Sequence, residues 1–174
     1  MMYQDPKSGS RDQKVEILPN SAPIDIPRGM KVVTVDAKGR MTLPVEFKEY
    51  LTRLGDTKVF ITTTDLKLIK IFPLKTWDDN EKFFASQTDD AEIAEQIKFI
   101  ANEFGGDSGI DSNGRLLMPQ QLRDHFGLEN TQVRIECQQE FFRVYTQQYY
   151  EEYRAKAMED LLAKNALLKT KGMK

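Results

Sequence analysis

One cysteine, Cys137, and one histidine, His125, are all that 174 residues offer to thiol, imidazole and zinc chemistry. A lone thiol forms no internal disulfide, and one Cys with one His cannot assemble a zinc site of the usual ligand spacing. G-x-x-x-x-G-K-[ST], G-x-S-x-G and H-E-x-x-H are absent as well, which removes the commonest phosphate-loop, nucleophile and metalloprotease signatures. The expectation is a protein that is not an enzyme, with no catalytic residues, no metal and no cofactor. Long apolar runs are also missing. Nothing approaches the roughly 20 apolar residues of a membrane span, and residues 1–20 lack the apolar stretch of a secretion signal. A soluble cytoplasmic protein without a membrane partner is expected. Positive charge is not in excess either: 25 Lys and Arg face 27 Asp and Glu, for a formal net charge of -2. Any polyanion must therefore meet locally concentrated cations.

What the chain does contain is a repeat. Val35-Asp36-Ala37-Lys38-Gly39-Arg40-Met41-Thr42-Leu43-Pro44 returns 75 residues later as Ile110-Asp111-Ser112-Asn113-Gly114-Arg115-Leu116-Leu117-Met118-Pro119. The echo continues through Phe47 with Leu122, Leu51 with Phe126, Val59-Phe60-Ile61 with Val133-Arg134-Ile135, and Ile71-Phe72 with Val144-Tyr145. Duplication of this length points to one supersecondary unit used twice.

Each copy has the same physical outline. In the first, a strand at 30–35, with Val33 and Val35 on one face, enters a turn and a second strand leaves it through Met41 and Leu43. Gly39 and Gly114 suit the positive φ such turns need. Pro44 and Pro119 are expected at the first helical position, where a missing N–H costs nothing. The first helix is expected to bury Phe47, Leu51 and Leu54 and to stop at Gly55; its counterpart buries Leu122 and Phe126 and stops at Gly127. Two further strands close each copy, at 58–63 and 68–72 in the first and at 132–137 and 141–145 in the second.

Around the copies the pattern changes. Residues 1–29, with Pro6, Gly9, Pro19, Pro23 and Pro27 among polar residues, lack apolar periodicity and are expected to form a flexible arm. Between the copies lie two helices, one marked by Trp77, Glu81 and Phe84, the other by Ile93, Ile97, Ile100 and Phe104. Asp89 with Glu92 is expected to cap the second. Gly105, Gly106 and Gly109 suggest a linker. After Tyr145 comes an amphipathic helix carrying Tyr150, Tyr153, Ala157, Leu161 and Leu168, then a basic tail over 164–174. His125 is expected at a helix surface or interface, and Cys137 as a small apolar residue in a strand. Asp78-Asp79 and Asp89-Asp90 are best explained as solvated helix starts.

The two Asp-x-x-Gly-Arg turns carry the functional expectation. An Asp at the start of a turn accepts N–H groups two or three residues on, so Asp36 and Asp111, with Gly39 and Gly114, are assigned to shaping the turns. Arginine suits bidentate recognition of guanine or phosphate, so Arg40 and Arg115 are assigned to contact, with Lys38 and Asn113 beside them.

In these residues the chain resembles the MraZ proteins, whose halves are each related to the AbrB/SpoVT-type swapped-hairpin DNA-binding module. The resemblance covers about 30–150 and rests on the two turn segments and on Ile71-Phe72-Pro73-Leu74 with Trp77 just after. It implies an α+β, β-rich fold: two tandem AbrB/SpoVT-like βαββ half-modules forming a pseudo-twofold swapped-hairpin barrel, with connecting helices and a C-terminal helix. The expected organisation is an N-terminal arm over 1–29, a first module over 30–77, a helical connector over 78–104, a second module over 105–148, and a C-terminal helix with basic tail over 149–174. The resemblance further implies a nucleoid-associated transcriptional regulator. Such proteins assemble into rings and bind short direct repeats in double-stranded DNA upstream of the division and cell-wall gene cluster, including their own gene. Carried over residue by residue, the DNA-binding positions are Lys38, Arg40, Asn113 and Arg115, with Lys31 a weaker one. Asn113 in place of a second lysine makes the copies unequal. A non-catalytic oligomeric scaffold or partner-binding protein is the alternative, with Phe83, Phe84, Phe99 and Phe104 packing either between subunits or inside one.

Overall fold

The computed structural model describes residues 25–174. Most of the expected arm at 1–29 therefore lies outside the described residues; within its last part, Ile26 packs against the main core.

Each copy contributes four strands and one helix. The first holds β1 (Met30–Val35), β2 (Arg40–Thr42), α1 (Val45–Arg53), β3 (Lys58–Thr62) and β4 (Ile69–Pro73). Two connecting helices follow, α2 (Leu74–Ser86) and α3 (Ala91–Phe104). The second copy holds β5 (Gly106–Gly109), β6 (Arg115–Leu117), α4 (Gln120–Phe126), β7 (Thr131–Cys137) and β8 (Phe142–Thr146), and the chain ends in α5 (Gln147–Met158) and α6 (Leu161–Thr170).

The copies exchange strands. β1 pairs with β7 from Met30 opposite Glu136 to Val35 opposite Thr131, while β3 pairs with β5, β2 with β6 and β4 with β8, all antiparallel. The order is β5-β3-β4-β8-β7-β1-β2-β6. Leu117 N–H donates to Ser108 Oγ at 3.0 Å, drawing the two end strands together into a nearly closed antiparallel barrel. Followed around the barrel as a cycle, exchanging the two copies returns the same order reversed, which is the pseudo-twofold. Closure explains why so small a unit is duplicated: one copy alone would leave open strand edges and little covered apolar surface.

One core serves both copies. Val35, Met41, Phe47 and Leu51 from the first pack with Leu116, Met118, Leu122, Ile135 and Phe142 from the second, all fully buried. A smaller cluster of Phe60, Phe72, Trp77 and Ala101 fixes α2 and α3 to the outside of β3 and β4, with Phe60 stacked on Trp77 at 4.4 Å.

Several local expectations are corrected. Pro44 and Pro119 are N-cap residues with extended ψ, one step before the helix. Leu54 is the C-cap of α1 and 38% exposed; Tyr50 is buried in its place, its hydroxyl donating to Gln139 O at 3.0 Å. The glycine-rich segment is a strand, not a linker. It pairs with β3 from Lys58 opposite Gly109 to Ile61 opposite Gly106. Just before it, Gly105 caps α3 where the backbone approaches closely: a Cβ there would stand 2.3 Å from Phe60 Cζ and from Ala101 O. The cap of α3 falls on Asp90, without a side-chain bond, and Glu92 instead accepts from Gln96. α3 buries Ala94 and Ala101, the latter against the Phe60, Phe72 and Trp77 cluster, and leaves Ile93 exposed. The single C-terminal helix is two, broken at Asp160 (φ +50), with no buried residue in either.

Candidate nucleic-acid interface

The turns are built from the aspartate outward. Asp36 Oδ1 accepts the N–H groups of Lys38 and Arg40, both at 2.9 Å. Its Oδ2 takes the Arg40 guanidinium through Nε at 2.8 Å and Nη2 at 2.7 Å. Asp111 repeats every bond: Asn113 and Arg115 N–H on Oδ1 at 2.9 Å, Arg115 Nε and Nη2 on Oδ2 at 2.8 Å. Gly39 and Gly114 close the turns at φ +76 and +74. Two donors of a planar fork on one carboxylate fix the guanidinium plane. Among the described residues, nothing engages Nη1 of either arginine. Both side chains remain about one third exposed, at 33% and 29%.

The backbone N–H of Arg40, with its side chain next, holds the Asp36 carboxyl at about 2, below the ordinary 3.8. Asp111 is lowered too, first by the backbone N–H of Arg115. Because the folded value is depressed, the stabilisation is present above the unfolded value near 3.9 and is lost as pH falls through about 2. The expected result is an Asp36 carboxyl midpoint near 2 in an NMR titration, with the Arg40 Nε–H bond intact at pH 3. A midpoint at the ordinary value contradicts the clamp.

The swap brings the two turns together. β2 and β6 pair with Arg40 opposite Leu117, Met41 opposite Leu116 and Thr42 opposite Arg115. Met41 and Leu116 are fully buried, so strand alternation sends Arg40, Thr42, Arg115 and Leu117 to the outer face. Arg40 and Arg115 are diagonal neighbours there, roughly 7–8 Å apart by sheet geometry and somewhat closer at Cβ. Each turn is tied to the opposite copy: Met118 N–H donates to Gly39 O at 2.8 Å, and Leu43 N–H to Gly114 O at 3.0 Å. Lys38 and Asn113 are exposed at the turn tips. Lys31 is on β1, paired with Glu46 at 2.8 Å. His125 packs edge-on against Phe104 and Phe126 at 5.1 and 4.7 Å. Burial pushes the half-buried Cys137 thiol up to about 11.

Two residues that sequence reasoning passed over stand against the turns. A Cβ on Gly39 would lie 2.1 Å from Arg123 Cδ of α4, and one on Gly114 would lie 3.5 Å from Lys48 Cδ of α1. The repeat offset of 75 carries Lys48 onto Arg123, so basic character at one matched position was the available signal. Gly39→Ala and Gly114→Ala each meet a left-handed backbone cost of about 1–2 kcal/mol. Gly39→Ala must also displace the Arg123 stem, so its Tm should fall further than that of Gly114→Ala. Equal Tm values for the two variants contradict the packing.

The MraZ protein family model matches residues 27–99 and 107–170. Three similar proteins each carry the name Transcriptional regulator MraZ. The one from Acidobacterium capsulatum is 33% identical over 97 residues, 56% of this chain and 66% of the relative. The one from Halorhodospira halophila is 29% identical over 143 residues, covering 81% and 93%. The one from Marinomonas sp. is 28% identical over 141 residues, covering 80% and 90%. No helix among the described residues is long and apolar enough to cross a membrane. With both turns and nearly all of both copies inside the matched residues, the chain belongs to the MraZ family.

Proposed function

We propose that the chain is a sequence-specific DNA-binding transcriptional regulator, acting in the cytoplasm on the nucleoid, at the promoter of the division and cell-wall gene cluster that includes its own gene. The observation that carries this is the pair of aspartate-clamped arginines, outward on neighbouring strands. A guanidinium already fixed on one edge offers its free edge to guanine O6 and N7, or to a phosphate, at little further ordering cost. Lys38 and Asn113 flank that edge, and Lys31 contributes less because Glu46 holds it. The names of the relatives agree with this reading.

A net charge of -2 disfavours single-copy binding, and self-association answers it. A ring aligning many arginine pairs along direct repeats gains through effective concentration. Two features support association. Phe83, Ile93 and Phe99 stand exposed on α2 and α3, and Leu161, Leu162, Leu167 and Leu168 on α6. Residues 74–104 carry eight Asp and Glu against three Lys, while 161–174 carry four Lys and no acid. The same exposed residues are what favours a scaffold or partner-binding protein, but that reading leaves the clamped arginines without a purpose.

The test is a titration of the full chain with duplex DNA from upstream of its own gene and with random duplex, at several salt concentrations. The expected result is saturable binding that prefers the upstream duplex, with log K falling linearly against log salt. Equal affinity for both duplexes would falsify the regulator reading.

A further inference from the structure

We infer that Lys48 is the phosphate-contacting cation of the second turn. Each Asp-x-x-Gly-Arg turn then works with one lysine: Lys38 from its own copy at the first, Lys48 from the opposite copy at the second. This rests on the DNA-reading function proposed above.

The repeat places Lys48 on α1 and Arg123 on α4 at matched positions, and the strand exchange lays each across the other copy's turn glycine. From there their situations diverge. Arg123 presses its Cδ, Nε and Cζ to within 2.1–2.9 Å of where a Gly39 Cβ would stand. Both its terminal nitrogens are engaged, Nη1 3.3 Å from Glu129 and Nη2 on Gln120, its Nε is buried without a hydrogen-bond partner, and its side chain is only 14% exposed. It buttresses the first turn and is a positioning residue.

Lys48 lies more loosely. Its Cδ is 3.5 Å and its Nζ 3.8 Å from where a Gly114 Cβ would stand. Among the described residues it enters no ion pair. The ammonium thus waits at the tip of the second turn, the one that has Asn113 where the first has Lys38. An ammonium on a flexible stem is a point charge for phosphodiester oxygens and carries no base information. The two copies therefore come out equal in charge although their turn sequences differ.

The experiment compares wild type with Lys48→Met, which keeps the stem over Gly114 and removes the charge, and with Lys48→Arg, which keeps both. Each is titrated with upstream and random duplex across a salt series, with Tm recorded. Lys48→Met is expected to keep its Tm and its preference for the upstream duplex. Its affinity at low salt should fall several-fold for both duplexes alike, and the slope of log K against log salt should shrink by about one contact per bound subunit. Lys48→Arg should restore the slope, and so should Asn113→Lys added to Lys48→Met. Arg123→Met should lower Tm without changing the slope. A wild-type slope in Lys48→Met overturns the inference, and so does a loss confined to the upstream duplex, which would make Lys48 a base reader. A wild type that binds neither duplex removes the DNA reading itself, a result distinct from either.

Discussion

Phe142→Ala is expected to cost about 3–5 kcal/mol and to unfold both copies in a single transition. Phe142 is on β8 of the second copy and is fully buried. Its ring stacks on Phe47 at 5.3 Å and meets Tyr50 edge-on at 6.2 Å, both on α1 of the first copy. Truncation therefore opens a cavity at the seam between copies, and neither side can relax into it without giving up its hold on the other. For a chain of this size the Tm should fall on the order of 6–20 °C. Trp77 lies in the smaller cluster, 5.2 Å from Phe72, whose ring in turn meets Phe141 of the second copy at 5.1 Å, so its fluorescence reports on a second stretch of the contact between copies. Coincident fluorescence and circular dichroism transitions are expected. Two separated transitions would mean that the copies fold independently.

The local chemistry of the turns was legible because it depends on residues close in sequence. Asp36, Gly39 and Arg40 need only a tight turn to meet, and the second copy repeats the same bonds. Phe47 and Leu51 were legible as core by helical spacing. The exchange of strands was reached only through the family resemblance, since β1 pairing with β7 and β3 with β5 leaves no local periodicity. The strand at Gly106–Gly109 was hidden for a related reason: with glycine at both ends it presents no alternating side chains. Lys48 and Arg123 needed both facts at once, the repeat offset to match them and the exchange to carry each across. On α3 and α6 the apolar residues suggested buried faces, yet Ile93, Phe99, Leu162 and Leu168 stand exposed; their spacing cannot say whether a core or another subunit is to cover them.

The second large effect concerns the arginines. Each bidentate Arg–guanine pair is worth about 1–3 kcal/mol of discrimination. Removing Arg40 and Arg115 together should thus lower specific affinity by roughly 30-fold to 10⁴-fold. The fold should survive, because Asp36 and Asp111 keep their backbone N–H donors at Lys38, Arg40, Asn113 and Arg115 whatever the side chains. Met41 and Leu116 between them stay buried. Loss of binding would then not be loss of structure.

The most direct measurement is a competition titration of wild type and the Arg40→Ala, Arg115→Ala double variant. Upstream and random duplex compete for each protein, with molar mass followed by light scattering. The expected result is a double variant of unchanged mass whose preference for the upstream duplex has disappeared. A double variant that keeps wild-type affinity and preference would show that the turns do not read DNA.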